Sequence, residues 1–388
     1  MDAGGFDDIT AERLRELGGL KWTAFPGAIG AFVAESDYGV APPIARALHD
    51  AVDRGLFGYR PAWLGRELAE ATAEWQRSAY GWEVPPERIH PLGDVVAGLD
   101  AAISFFSEPG TPVILPTPAY MPFLTVPGTL GRATIEVPLL EHDGRYRLDL
   151  DGIDRAFQAG AGLLILCNPY NPVGRVFTRP ELLALSEVVA RNGGRVFSDE
   201  IHAPFVYPGA QHTPYASVSS EAARHTVTAT SASKAWNLPG LKCAQLILTN
   251  EADEERWQRD GFLHEHGASN LGVVANIAAY REGGDWLASA IRYTDENRHA
   301  LTRMISHSLP GMRYREPEGT YIAWLDARAL ELEDPATFFR ESAGVALTDG
   351  LACGSPGAGF LRLVFATPRP ILEDAIERMA TAVRSRAA

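Results

Sequence analysis

Four places in this chain put a chemically capable residue directly after a run of apolar, strand-forming residues. Lys234 closes Ser231-Ala232-Ser233-Lys234, which follows Thr226–Thr230. It is flanked by small residues and stands apart from any run of charge. Kept from water near other cations, such a lysine gives up its proton and becomes a Schiff-base nucleophile; in solvent it is an ordinary loop lysine. Asp199 lies in Ser198-Asp199-Glu200-Ile201-His202, after Arg195–Phe197. A carboxylate ending a buried strand is costly without a positive partner. It either caps the next helix or keeps a ring nitrogen protonated, and a pyridinium ring is a strong sink for a carbanion.

Asn171 belongs to Asn168-Pro169-Tyr170-Asn171-Pro172-Val173-Gly174, after Leu163–Cys167. Two Asn-Pro pairs ending in glycine make a stiff, non-helical turn. The turn is either connection chemistry alone or a rigid mount for an amide that donates to a ligand oxygen. The fourth place is Pro91-Leu92-Gly93-Asp94-Val95, leading into a helical stretch. Backbone N–H groups at a helix start bind phosphate without needing a particular side chain. Tyr120, after Pro112–Leu115, offers an aromatic face for stacking or packs as a core or rim residue. An amine, an acid, an amide and a phosphate cradle together describe one cofactor.

The elements that must position these residues alternate through the middle of the chain. Short runs rich in Val, Ile and Leu at Pro112–Leu115, Leu163–Cys167, Arg195–Phe197, Thr226–Thr230 and Ala244–Thr249 are separated by helical patterns such as 98–107 and 180–191. Continuous apolar strands between helices predict an α/β fold with a mostly parallel sheet covered on both faces. Ligands of such sheets sit beyond the carboxyl ends of the strands. Helical spacing over 43–57 and 66–80 precedes the sheet. From about residue 285 the pattern becomes a long helix (286–308), short strands and a final helix from 370. The chain therefore divides into a large cofactor-binding domain over 45–283, and an N-terminal arm (1–44) with a smaller α+β domain (284–388).

Composition narrows the class. The 388 residues carry 35 Lys and Arg against 49 Asp and Glu, a net charge of −14. That balance disfavours nucleic acid as a partner. No stretch of about 18 apolar residues occurs, so no membrane span is expected. Cys167, Cys243 and Cys353 lack metal-ligand or disulfide spacing. With an acidic N-terminus that has no leader pattern, they predict a cytoplasmic protein and no metal.

The ordered set Asn-Pro-x-Asn-Pro-x-Gly, Ser-Asp-Glu-Ile-His and Ser-x-Ser-Lys resembles the fold-type I enzymes that use pyridoxal 5′-phosphate (PLP), the aspartate aminotransferase superfamily. Within it the chain is most similar to the MalY/PatB group of cystathionine β-lyases (C–S lyases). Lys21-Trp22, Ala34-Glu35-Ser36-Asp37-Tyr38, Phe57-Gly58-Tyr59, Asp199-Glu200-Ile201-His202 and Asn237-Leu238-Pro239-Gly240-Leu241 carry that likeness. Three features depart from the group: Asp94 in place of an uncharged residue, Lys242 where many superfamily members have arginine, and Ala203-Pro204-Phe205 after the histidine.

The resemblance implies a role for each residue. Lys234 holds PLP as a Schiff base and later moves the Cα proton. Asp199 pairs with the pyridinium nitrogen, Asn171 donates to the phenolic oxygen, and His202 sits near it. Tyr120 stacks on the ring. Ser231, Ser233, Lys242 and the helix start at Gly93, Asp94 and Val95 face the phosphate, with Asp94 contributing only its backbone. Arg362, otherwise a surface arginine on an edge strand, grips the substrate carboxylate, with Asn171 and Tyr120 beside it. Tyr59 reaches the phosphate of a second subunit and acts there, so the active unit is a homodimer. The implied reaction is β-elimination from an S-substituted L-cysteine to thiol, pyruvate and ammonia. Alternatives are transamination, decarboxylating or oxidative deamination of a cysteine conjugate, and a regulatory protein that merely retains PLP.

Overall fold

The computed structural model of the protein describes residues 5–387. Its centre is a seven-stranded sheet built from β1 (Ile89–Leu92), β2 (Val113–Thr117), β3 (Thr134–Pro138), β4 (Leu163–Cys167), β5 (Arg195–Asp199), β6 (Thr226–Thr230) and β7 (Ala244–Leu248). The order is β1-β7-β6-β5-β4-β2-β3. Only β7 runs against its neighbours. The other strands point the same way, as the apolar runs predict. Every residue of β2, β4, β6 and β7 is buried, and β4, Leu-Leu-Ile-Leu-Cys, accordingly reads as an unbroken apolar run rather than an alternating one.

Two strands are missing from the sequence-based expectation, and both are edges. β1 contains Pro91 and β3 ends in Pro138. Proline donates no ladder hydrogen bond and is tolerated at sheet edges, so it hides an edge strand from a pattern reading. Helices cover the sheet. Val95–Phe105 is capped by Asp94, and Arg179–Arg191 opens with a capping box between Thr178 and Glu181.

A smaller antiparallel sheet follows, made of β8 (Arg313–Tyr314), β9 (Ile322–Asp326), β10 (Thr348–Asp349) and β11 (Phe360–Val364), in the order β8-β9-β11-β10. The long helix Gly284–Ser308 and the last helix Arg369–Ala387 pack together beside it. The N-terminal arm does not hang free. Its residues Ile29–Gly30 pair in parallel with Val345–Ala346, tying residue 29 to the small domain. Gly30 is required there, because a Cβ would lie 1.8 Å from the Lys21 carbonyl oxygen. Among the described residues no helix is long and apolar enough to cross a membrane.

Candidate active site

The carboxyl ends of β2, β4, β5 and β6 face one edge of the large sheet, and a cavity of about 180 Å³ opens there. Its wall includes Gly93, Asp94, Val95, Tyr120, Asn171, Asp199, His202, Ser233, Lys234 and Lys242. The antiparallel β7 begins at this edge, which brings Lys242, just before it, back to the cavity.

The loop after β4 is held closely. Both Asn-Pro peptide bonds are cis. Asn168 Oδ1 accepts from the Phe177 N–H at 2.9 Å. Gly174 closes the turn at φ 71°, where a Cβ would come within 2.2 Å of Pro317. Asn171 Oδ1 accepts from Arg362 Nη1 at 3.2 Å. That contact leaves the amide N–H groups of Asn171 for the cavity.

Arg362 is 2% exposed, and its hydrogen bonds all go to neutral groups. Nη2 donates to the Phe32 carbonyl at 2.7 Å and to Thr348 Oγ1 at 3.3 Å. Nε has no partner. Among the described residues no carboxylate pairs with this guanidinium, and burial pulls its pKa down. A buried cation with an unused N–H is strongly unfavourable unless an anion joins it.

Asp199 is 4% exposed and accepts one hydrogen bond, from the Ile201 N–H at 3.0 Å. Burial raises its carboxyl to about 7, against the lowering effects of that bond and of Lys234. Lys234 is pulled down to about 8 by burial and by the charge of Arg362; its Nζ donates to the Ala34 carbonyl at 2.9 Å. His202 is pushed down to about 3 by burial and by Lys234 and Arg362, so it is neutral, and its Nδ1 has no partner. Tyr120 lies near Asp199 and Arg362, with its hydroxyl raised chiefly by burial.

This donor set fits PLP. A buried acid lacking a cation suits a pyridinium nitrogen, and a depressed amine suits Schiff-base chemistry. The phosphate end is less simple. Asp94 Oδ1 caps the helix by accepting from the Ala97 N–H at 2.9 Å, and Oδ2 pairs with Lys242 Nζ at 2.9 Å. Lys242, expected to face the phosphate, is therefore already paired with a carboxylate. Ser231 departs from the expectation: its hydroxyl donates to the Cys243 carbonyl at 2.7 Å and accepts from the Ser233 N–H at 3.0 Å. It shapes the turn that carries Lys234 and does not line the cavity, whereas Ser233 does.

Tyr59 is also outside this cavity. It is 95% exposed and lines a separate open cleft with Lys242, Ser269 and Asn270. Groups not assigned a role from the sequence also meet here: the carbonyls of Phe32 and Ala34, Thr348, and Tyr321, whose hydroxyl donates to the Ala34 carbonyl at 3.0 Å. Backbone acceptors leave no signature in residue type. Among the described residues no group of His, Cys, Asp and Glu is arranged to hold a metal ion.

The family model for aminotransferase class I and II matches residues 30–379. Cystathionine β-lyase of Corynebacterium glutamicum is 39% identical, covering 95% of this chain and 98% of the relative. Cystathionine β-lyase PatB of Bacillus subtilis is 34% identical, covering 92% of each. A solved structure from Corynebacterium diphtheriae, described as a candidate PLP-dependent β-cystathionase, superposes with a TM-score of 0.92 at 43% identity, covering 97% of this chain and 98% of that one. The chain belongs to the aminotransferase class I and II family and, within it, to the group of cystathionine β-lyases that includes PatB.

Proposed function

We propose that this protein is a PLP-dependent carbon–sulfur lyase that eliminates a thiol from the β-carbon of an S-substituted L-cysteine, with cystathionine as the reference substrate. The observation that carries the reading is Arg362, a buried guanidinium without a carboxylate partner, held beside Asn171 next to a cavity that contains Lys234 and Asp199. Arg362 and Asn171 receive the substrate carboxylate, and the planar fork fixes its orientation.

Bound PLP supplies the electron sink for the charge left at Cα. Asp199 would pair with the ring nitrogen and keep it protonated. Asn171 and neutral His202 would serve the phenolic oxygen, and Tyr120 would pack on the ring. Ser233, Lys242 and the N–H groups from Gly93 to Val95 would hold the phosphate. Lys234 would take the Cα proton. The electron pair from that C–H bond forms the Cα–Cβ double bond as the thiolate leaves Cβ. The enamine released takes up water and yields pyruvate and ammonia.

Purified holoenzyme incubated with L-cystathionine should release pyruvate and thiol in equal amounts, and Lys234→Ala should lose turnover by at least about a thousandfold. Conversion of the cofactor to its amine form with an amino donor, without pyruvate, would assign transamination instead.

We also infer that two copies form the active unit. Phe57 and Tyr59 are 67% and 95% exposed, and Phe262 and Leu263 are 67% and 77% exposed, an aromatic and apolar set rarely left bare on a monomer. Tyr59 is not part of its own chain's cavity wall, and a second subunit's phosphate end is the site we assign to it. Three buried, unpaired cysteines fit the reducing conditions of the cytoplasm.

A further inference from the structure

The arm segment between Ala31 and Tyr38 touches both charged ends of the site, yet it has no regular secondary structure. Its ends are tied to the small domain. Ala31 N–H donates to the Ala346 carbonyl at 2.9 Å, Val364 N–H to the Ala31 carbonyl at 2.8 Å, and Asp37 N–H to the Ala366 carbonyl at 2.9 Å. Between these ties lie the two carbonyls that matter, Phe32 on Arg362 and Ala34 on Lys234.

What fixes the intervening backbone is a buried polar cluster. Lys21 Nζ donates to Asp37 Oδ2 at 2.7 Å and to the Glu35 carbonyl at 3.1 Å. Trp22 Nε1 donates to Asp37 Oδ1 at 2.8 Å. Lys21 and Asp37 are 3% and 5% exposed. From the large domain, the Asn237 side chain accepts from the Ser36 N–H at 3.1 Å and donates to the Ser36 carbonyl at 2.9 Å. Asn237 stands three residues after Lys234, so the same short loop carries the reactive amine and a clamp on the segment facing it.

We propose that Asp37 is a positioning residue for the reaction: with Lys21 and Trp22 it sets the arm backbone so that the Phe32 and Ala34 carbonyls hold Arg362 and Lys234 in register with the cofactor cavity. The inference rests on the roles given to Arg362 and Lys234 above. A buried ion pair is a poor source of stability, since a well-packed apolar pair often serves as well or better. What an apolar pair lacks is the ammonium bridge from the Asp37 carboxylate to the Glu35 carbonyl. Sites need their supporting groups placed to within about 0.5 Å, and Glu35 is the direct neighbour of Ala34.

The test separates fold support from positioning. Lys21→Met/Asp37→Leu replaces the pair by apolar side chains and should keep the melting temperature near that of the wild type. Its KM for L-cystathionine should nevertheless rise about tenfold or more, with a smaller change in kcat. The second readout needs no turnover: PLP is added to the apoprotein and Schiff-base absorbance is followed against pH. Loss of the Ala34 acceptor removes a partner of the charged amine, so the midpoint should fall below the wild-type value.

A double variant with wild-type stability, KM and midpoint overturns the proposal. Should that variant not fold, Trp22→Phe decides: it removes one donor to Asp37, and an unchanged KM and midpoint in the folded protein overturns the proposal equally. Arg362→Ala measured alongside keeps the two levels apart. An unaltered KM there removes the carboxylate site itself and overturns both readings, whereas a raised KM leaves the question to the Asp37 variants.

Discussion

Arg362 and Asn171, 191 positions apart, meet through a 3.2 Å hydrogen bond from the guanidinium to the amide oxygen. The contact joins β11 of the smaller sheet to the loop after β4 of the large one. The arginine thereby sets the sense of the amide, with oxygen towards the small domain and N–H towards the cavity. In the function proposed above, substrate carboxylate and cofactor oxygen meet two residues that orient one another.

Loss of this guanidinium should cost binding more than folding. Arg362→Ala is expected to lower kcat/KM for L-cystathionine by about 10²–10³-fold, the range for truncating one partner of a buried charged contact. Arg362→Lys should recover only part of it, because a point charge cannot replace the fork. Steady-state kinetics against the amino acid, with an S-alkyl cysteamine that lacks the carboxylate as control, checks this. An equal loss on the control would reject the role.

Asp199 makes a prediction about the apoprotein. Its folded-state carboxyl, raised to about 7, lies above its ordinary value of 3.8. The folded state then holds the proton more tightly than the unfolded state. The resulting stability is present below about pH 4 and is lost as pH rises through about 7. Asp199→Asn removes an acid that pays this penalty, so the apo variant should melt higher than apo wild type at pH 8 and show little difference at pH 4. With PLP bound, the order at pH 8 should shrink or reverse, since only the acid gains the ring cation. Calorimetry at the two pH values, with and without PLP, reads it.

Asp94 competes for Lys242. Asp94→Asn should free the ammonium while an amide oxygen still caps the helix. The pair is exposed, so the gain in PLP affinity should be only about threefold at low salt and should fade as salt is added. Equilibrium titration of the apoprotein, with inorganic phosphate as a competing anion, would detect it. Weaker binding by the variant would mean that Asp94 supports the phosphate site instead.

Tyr59 can be placed by mixing two inactive proteins. If it serves the neighbouring subunit, Tyr59→Ala and Lys234→Ala protomers refolded together form hybrids with one complete site. Activity should then reappear on mixing. A mixture as inactive as its parents would put Tyr59 outside the partner's site.

Much of this was legible in the sequence because the key side chains follow buried strands. Asn171, Asp199 and Lys234 each end an apolar run, and the fold collects such ends at one edge. Arg362 was legible only by resemblance, since an arginine in an apolar strand does not announce what it faces. The reversed direction of β7 was hidden, because an apolar run reads the same either way. The contacts of Ser231 were not legible for another reason: a hydroxyl beside a phosphate loop and one that pins a turn are the same residue type. The carbonyls of Phe32 and Ala34 could not be seen, as every residue carries one.

That last point bears on how the enzyme can diverge. The acceptors that the arm offers to Arg362 and Lys234 are main-chain atoms, so exchange of the side chains at 32 and 34 leaves both contacts available. Phe32, half-buried and paired edge-to-face with Phe25, can change size or polarity without touching the groups that perform the chemistry. Side-chain variation and the two backbone contacts are therefore separable on the same short peptide, which lets evolution or a designer alter one and keep the other.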